Sequence, residues 1–142
     1  MVSSARSNYH CRSDQWTATE PAQRPLKGAR VLVVDDEFLI AAQLECDLQE
    51  AGAQVFGPSH TLQDALAVAE REHLTAAILD IQLGHDNIGP LARHLADRGI
   101  PFAFYTGQSD TDPIRTQWPN SKVISKPATA ANLIAAIASV MK

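Results

Sequence analysis

From Gly28 onward, short apolar runs alternate with longer stretches whose apolar residues recur every three or four positions. That alternation predicts buried parallel strands joined by crossover helices. Val31-Leu32-Val33-Val34 is β-branched and bounded by acids, which suits a strand covered on both faces and ending at Asp35. Ile40, Ala41, Leu44 and Leu48 follow at helical spacing, and Ala51-Gly52 offers a stop. Gln54-Val55-Phe56 predicts a short second strand ended by Gly57-Pro58. Thr61 then caps a helix carrying Leu62, Ala65, Leu66, Val68 and Ala69.

The pattern continues with Ala76-Ala77-Ile78-Leu79, a third strand that ends at Asp80. Asp86-Asn87 offers a cap for a helix over 88–98, closed by Gly99. Pro101 to Tyr105 reads as a fourth strand, with proline tolerated at its first position, and Thr106-Gly107 follows it. Asp110, Asp112, Pro113, Pro119 and Asn120 break the stretch 108–121 too often for a long helix. Val123-Ile124 is a minimal fifth strand, and 131–141 forms a last helix with Leu133, Ile134, Ile137 and Val140 inward. The expectation is an α/β fold with a doubly wound, five-stranded parallel sheet. Neither an internal repeat nor a glycine-rich phosphate loop is present, and the last helix is expected to leave no room for an output domain, so the protein would act through other proteins.

At 142 residues and 45% hydrophobic, the chain can bury one core but not two. Residues 1–27 are polar and aperiodic apart from Tyr9 and Trp16, and are expected to be a disordered leader to a domain spanning 28–142. A formal charge of -4 provides no basic footprint, which argues against nucleic acid as a direct partner. Cys11 and Cys46 show no disulfide spacing. No apolar run approaches the ~20 residues that span a bilayer, and no apolar secretory stretch opens the chain, so a cytoplasmic protein without a membrane association is expected.

In open doubly wound sheets, functional groups collect outside the carboxyl ends of the strands. Asp35 and Asp36 follow strand one, Asp80 strand three, Thr106 strand four and Lys126 strand five, so all five would share one crevice. Three converging carboxylates repel unless a cation joins them, and hard oxygen donors with room for water suit Mg²⁺. A carboxylate can attack a phosphoryl group once the transferring oxygens are neutralised, which Mg²⁺, Thr106 and Lys126 would supply. Taken singly, each residue has a plainer reading: Asp35-Asp36 as a helix cap worth ~1 kcal/mol, Asp80 and Thr106 as turn formers, Lys126 as a solvated lysine. Their common location argues against all of these together. His85 lacks a second histidine at ligand spacing and reads as a loop residue. Trp118 either fills a gap or anchors a partner, and both readings stay open.

Val33-Val34-Asp35-Asp36-Glu37, Leu79-Asp80, Tyr105-Thr106-Gly107 and Ser125-Lys126-Pro127, in this order and spacing, resemble a response-regulator receiver domain over roughly 29–142. The resemblance implies a flavodoxin-like strand order, 2-1-3-4-5. It implies that Asp80 is the phosphoacceptor, that Asp36 binds Mg²⁺ directly, that Asp35 acts mainly through water, and that the Gln82 backbone carbonyl completes the ligands. Thr106 would hydrogen-bond a phosphoryl oxygen, Lys126 would pair with another or with Asp80 beforehand, and Lys126-Pro127 would be cis. The phosphoryl donor would be a sensor histidine kinase or a phosphotransfer protein; no activity beyond self-phosphorylation and autodephosphorylation is expected. The resemblance leaves the downstream target and the oligomeric state, monomer or homodimer, open.

The strand-four end also resembles the alphaproteobacterial receivers with a Phe-Ala-Thr-Gly-aromatic signature, with Tyr105 in place of Ala and Gln108 in place of the last aromatic. That subgroup implies a shortened or missing fourth helix and a kinase of the HWE type. Val123 stands where many receivers carry a switch aromatic, and Ala128 where many carry Phe. These departures motivate a second reading, a phosphorylation-independent interaction module. A third, a phosphohydrolase working through an aspartyl intermediate, lacks an Asp-x-Asp nucleophile and a cap domain.

Overall fold

The computed structural model describes residues 25–83, 86–107, 117–118, 121–126 and 128–141, without the side chains of 82, 83 and 86. Five strands, β1 (Arg30–Val34), β2 (Gln54–Ser59), β3 (Ala76–Asp80), β6 (Phe102–Thr106) and β7 (Lys122–Ser125), form one parallel sheet. Its order is β2-β1-β3-β6-β7, which is 2-1-3-4-5 among these five. Two short strands, β4 (Gln82–Leu83) and β5 (Asp86–Asn87), pair as an antiparallel ribbon after β3. The described helices are α1 (Phe38–Glu50), α2 (Leu62–Arg71), α3 (Gly89–Asp97) and α4 (Ala130–Val140).

Successive side chains of a strand point to opposite faces, and both faces of this sheet are buried. Leu32, Val34, Leu79 and Phe104 pack with Leu91 and Leu95 of α3 and Val68 of α2. The alternate positions, Val31, Val33, Ile78 and Ala103, pack with Leu44 and Leu48 of α1 and Leu133 and Ile137 of α4. Each buried leucine or isoleucine contributes about 1.5–3 kcal/mol relative to exposure. Thr61 and Thr129 cap α2 and α4, their hydroxyls accepting from the amides of Asp64 and Asn132 at 3.1 Å.

Four details depart from the sequence-based picture. β2 continues past Phe56 through a cis Gly57-Pro58 bond to Ser59. An edge strand tolerates proline, and the pairing with β1 shifts register there. Asp86-Asn87 forms β5; the Asn87 Oδ1 still accepts from the Gly89 amide at 2.8 Å, and Pro90 stands in the first turn of α3. Leu26, placed by composition in the leader, is buried, and its N–H donates to the Ala51 carbonyl at 2.9 Å. One apolar residue among polar ones carries no period. Cys46 on α1 is disulfide-bonded, which the spacing of the cysteines does not announce.

The expectations for the leader over 1–24, for His85, for Gln108, for the cis bond at Pro127 and for most of the fourth-helix stretch lie outside the described residues. Trp118 packs edge-on to Phe102 with ring centroids 5.5 Å apart, and the Arg93 guanidinium lies 5.8 Å from its ring centroid. The tryptophan thus fills a gap beside the α2–α3 face of the core.

Candidate functional site

The carboxyl ends of the strands bring the predicted residues together. Asp35 directly follows β1 and is fully buried; its N–H donates to the Ser59 carbonyl at 3.0 Å, and its Oδ1 accepts from the Glu37 amide at 2.9 Å. The helix-cap reading of Asp35-Asp36 does not hold, because the N-cap of α1 is Glu37, and it makes no side-chain cap. Asp80 ends β3 and is 3% exposed; Thr106 ends β6 and is also buried. Lys126 follows β7, its N–H donating to the Thr106 carbonyl at 2.9 Å. Gln82 stands in β4, shortly after Asp80, paired with Asn87.

Carboxylate oxygens of Asp35, Asp36 and Asp80 lie within 4.8 Å of one another. The Lys126 ammonium reaches into this cluster, 3.2 Å from Asp35 Oδ2, 3.3 Å from Asp80 Oδ2 and 3.3 Å from Glu37 Oε1, with its side chain 12% exposed. Burial works to lower the Lys126 pKa, but Asp80 and Asp35, with help from Glu37, outweigh it and hold the ammonium above its ordinary value. Among the described residues, one ammonium meets four carboxylates. Asp35 Oδ2, fully buried, lies at ion-pair distance from Lys126 yet makes no well-aligned hydrogen bond, so it keeps acceptor capacity for a cation. An all-oxygen donor set of this charge fits Mg²⁺.

Three neighbours were not assigned a part from the sequence. Glu37 was legible only as the last letter of a motif, yet its carboxylate is a partner of Lys126. The ring of Tyr105 lies 5.3 Å from the Lys126 ammonium, and its hydroxyl accepts from the Ala128 amide at 3.2 Å. His60, just past β2, places Nδ1 2.7 Å from the Asp35 carbonyl and its ring edge-on to Phe38. Phe38 and Leu39, at the start of α1 beside this cluster, are 70% and 87% exposed.

No protein-family model and no curated protein matches the sequence. Solved structures do. The signal receiver domain of a modulated diguanylate cyclase from Desulfovibrio desulfuricans is 29% identical at TM-score 0.71, over 80% of this chain and 93% of that one. A CheY-like receiver domain protein from Methanospirillum hungatei is 24% identical at TM-score 0.71, over the same shares of the two chains. A Burkholderia pseudomallei response regulator, solved with a phosphorylated aspartic acid and a calcium ion, is 24% identical at TM-score 0.68, over 78% of this chain and 69% of that one. In strand order and in the structures it matches, this protein has the receiver fold of response regulators.

Proposed function

We propose that this protein is a phosphoacceptor response regulator in which Asp80 takes a phosphoryl group, Mg²⁺-dependently, from a sensor histidine kinase or a phosphotransfer protein in the cytoplasm. The observation that carries the reading is the convergence of three carboxylates within 4.8 Å with a lysine ammonium 3.3 Å from Asp80. The likeness to receiver domains and to a response regulator solved with a phosphorylated aspartic acid and a calcium ion supports it.

Asp35, Asp36, Asp80 and the Gln82 carbonyl would hold Mg²⁺, which when bound neutralises charge on the phosphoryl oxygens. A carboxylate oxygen of Asp80 forms the new bond to phosphorus while the bond from phosphorus to the donor nitrogen breaks, the electron pair staying on the imidazole, which takes up a proton. Lys126 exchanges its contact with Asp80 for one to a phosphoryl oxygen, and the Thr106 hydroxyl donates to another. Hydrolysis of the acyl phosphate resets the switch, and no other substrate is turned over. Phe38 and Leu39 offer an apolar rim on which a donor helix would dock, an HWE-type kinase among the candidates. Phosphorylation then changes which protein partner is bound. The site is tested by intact-mass analysis after incubation with acetyl phosphate. A Mg²⁺-dependent phosphoryl adduct absent from Asp80→Asn is expected, and no adduct in the wild type overturns the reading.

Val123, only partly buried on β7, favours a second reading, a module whose partner binding ignores phosphate, because no aromatic is there to couple the site to the surface. Equal partner affinity with and without beryllofluoride would select it.

A further inference from the structure

We propose that Tyr105 is a positioning residue for Lys126, acting through both its ring and its hydroxyl. The inference rests on the reading of Lys126 as the cation that meets the phosphoryl group.

Lys126 lies between β7 and α4, and the space that the ammonium on its flexible four-methylene stem can reach is set by where its backbone is held. On one side the anchor is the ladder itself: the Lys126 N–H donates to the Thr106 carbonyl at 2.9 Å. On the other side the ladder has ended, and the Ala128 N–H donates to the Tyr105 hydroxyl at 3.2 Å. Consecutive residues of β6 therefore hold the backbone on both flanks of the lysine. Tyr105 itself is fixed: it is 5% exposed, and its Cα is paired with Asp80 on one neighbour and Ile124 on the other. Its ring, 5.3 Å from the ammonium, adds an electron-rich face along the path to Asp80. The three carboxylates attract the ammonium from whichever turn conformation it starts in; Tyr105 restricts which conformation that is.

Tyr105→Phe removes the anchor and keeps the ring; Tyr105→Leu removes both. In the full chain, Tyr105→Phe is expected to slow Asp80 labelling by acetyl phosphate about fivefold, the rate equivalent of one lost hydrogen bond. In a Lys126→Met background the same change should have no further effect, whereas equal slowing in both backgrounds, or none in the wild type, overturns the proposal. Two readouts need no phosphoryl transfer. Amide exchange at Ala128 should accelerate in both tyrosine variants, and the Lys126 ε-proton resonances should lose their ring-current shift in Tyr105→Leu but keep it in Tyr105→Phe. Unchanged exchange at Ala128 also overturns the proposal. A wild type that takes no phosphoryl group defeats the functional reading instead, and leaves these two readouts to decide whether Tyr105 anchors the lysine.

Discussion

Lys126 and Asp80 meet at 3.3 Å although Lys126 follows β7 and Asp80 ends β3, strands that are not neighbours, since β6 lies between them. Strands two apart are separated by roughly 10 Å, so the contact requires the lysine to lie across the end of β6. The long side chain bridges that gap over Tyr105 and Thr106, and the charge of the buried aspartates holds it there.

Removing the ammonium leaves Asp35 and Asp80 buried without their cation. Lys126→Met is expected to destabilise the metal-free protein by about 1–3 kcal/mol, less than a fully buried pair because the lysine keeps some exposure. Mg²⁺ should restore part of the loss. Urea unfolding in EDTA and in Mg²⁺ measures both, and a variant as stable as wild type in EDTA would show that the ion pairs contribute nothing net.

A cation that binds only the folded site stabilises it by mass action. At Mg²⁺ a hundredfold above its Kd the gain is about 2.7 kcal/mol, several degrees in Tm for a domain of this size. Asp36→Asn should abolish most of this increment while changing the Tm in EDTA far less. A thermal scan in which wild type ignores Mg²⁺ would remove the metal from the account.

Gly57 has φ +95°, and a Cβ there would stand 2.6 Å from the Ser59 amide and 2.8 Å from the Val33 carbonyl, both rigid backbone. Gly57→Ala should therefore cost about 2 kcal/mol or more in denaturant unfolding. Because the Ser59 carbonyl accepts the Asp35 N–H, the same variant should also weaken Mg²⁺ binding. Wild-type stability would show that β2 can shift its register without cost.

Phe38 and Leu39 bury little, so Phe38→Ser and Leu39→Ser are expected to change stability by about 0.5 kcal/mol or less. Labelling by acetyl phosphate, which needs no docking, should stay at the wild-type rate. Transfer from a phosphorylated histidine-phosphotransfer domain should slow in the double variant; an unchanged rate would move the docking surface elsewhere.

Periodicity along the chain was enough to place the five strands of the main sheet and the described helices, because burial of a local face leaves its imprint every two or every three to four residues; the short β4–β5 ribbon carries no such imprint. It was also enough to put Asp35, Asp80, Thr106 and Lys126 at strand ends, since the first three follow directly on an apolar run and Lys126 follows one across Ser125. What one residue does to another across the sheet has no such imprint. The Tyr105–Ala128 hydrogen bond joins residues 23 apart, Glu37 meets Lys126 across 89, and Leu26 is buried in the core cluster that includes Leu48 and Ala51 at the end of α1, where the Ala51 carbonyl accepts its N–H. Likewise Gly57-Pro58, a stop by local rules, is carried through by pairing with β1. The sequence by itself determined the elements, the chemistry of their ends and, through the receiver resemblance, the strand order; the distances between those ends and the contacts across them were decided by the tertiary packing, because two-sided burial of the sheet depends on contacts remote along the chain.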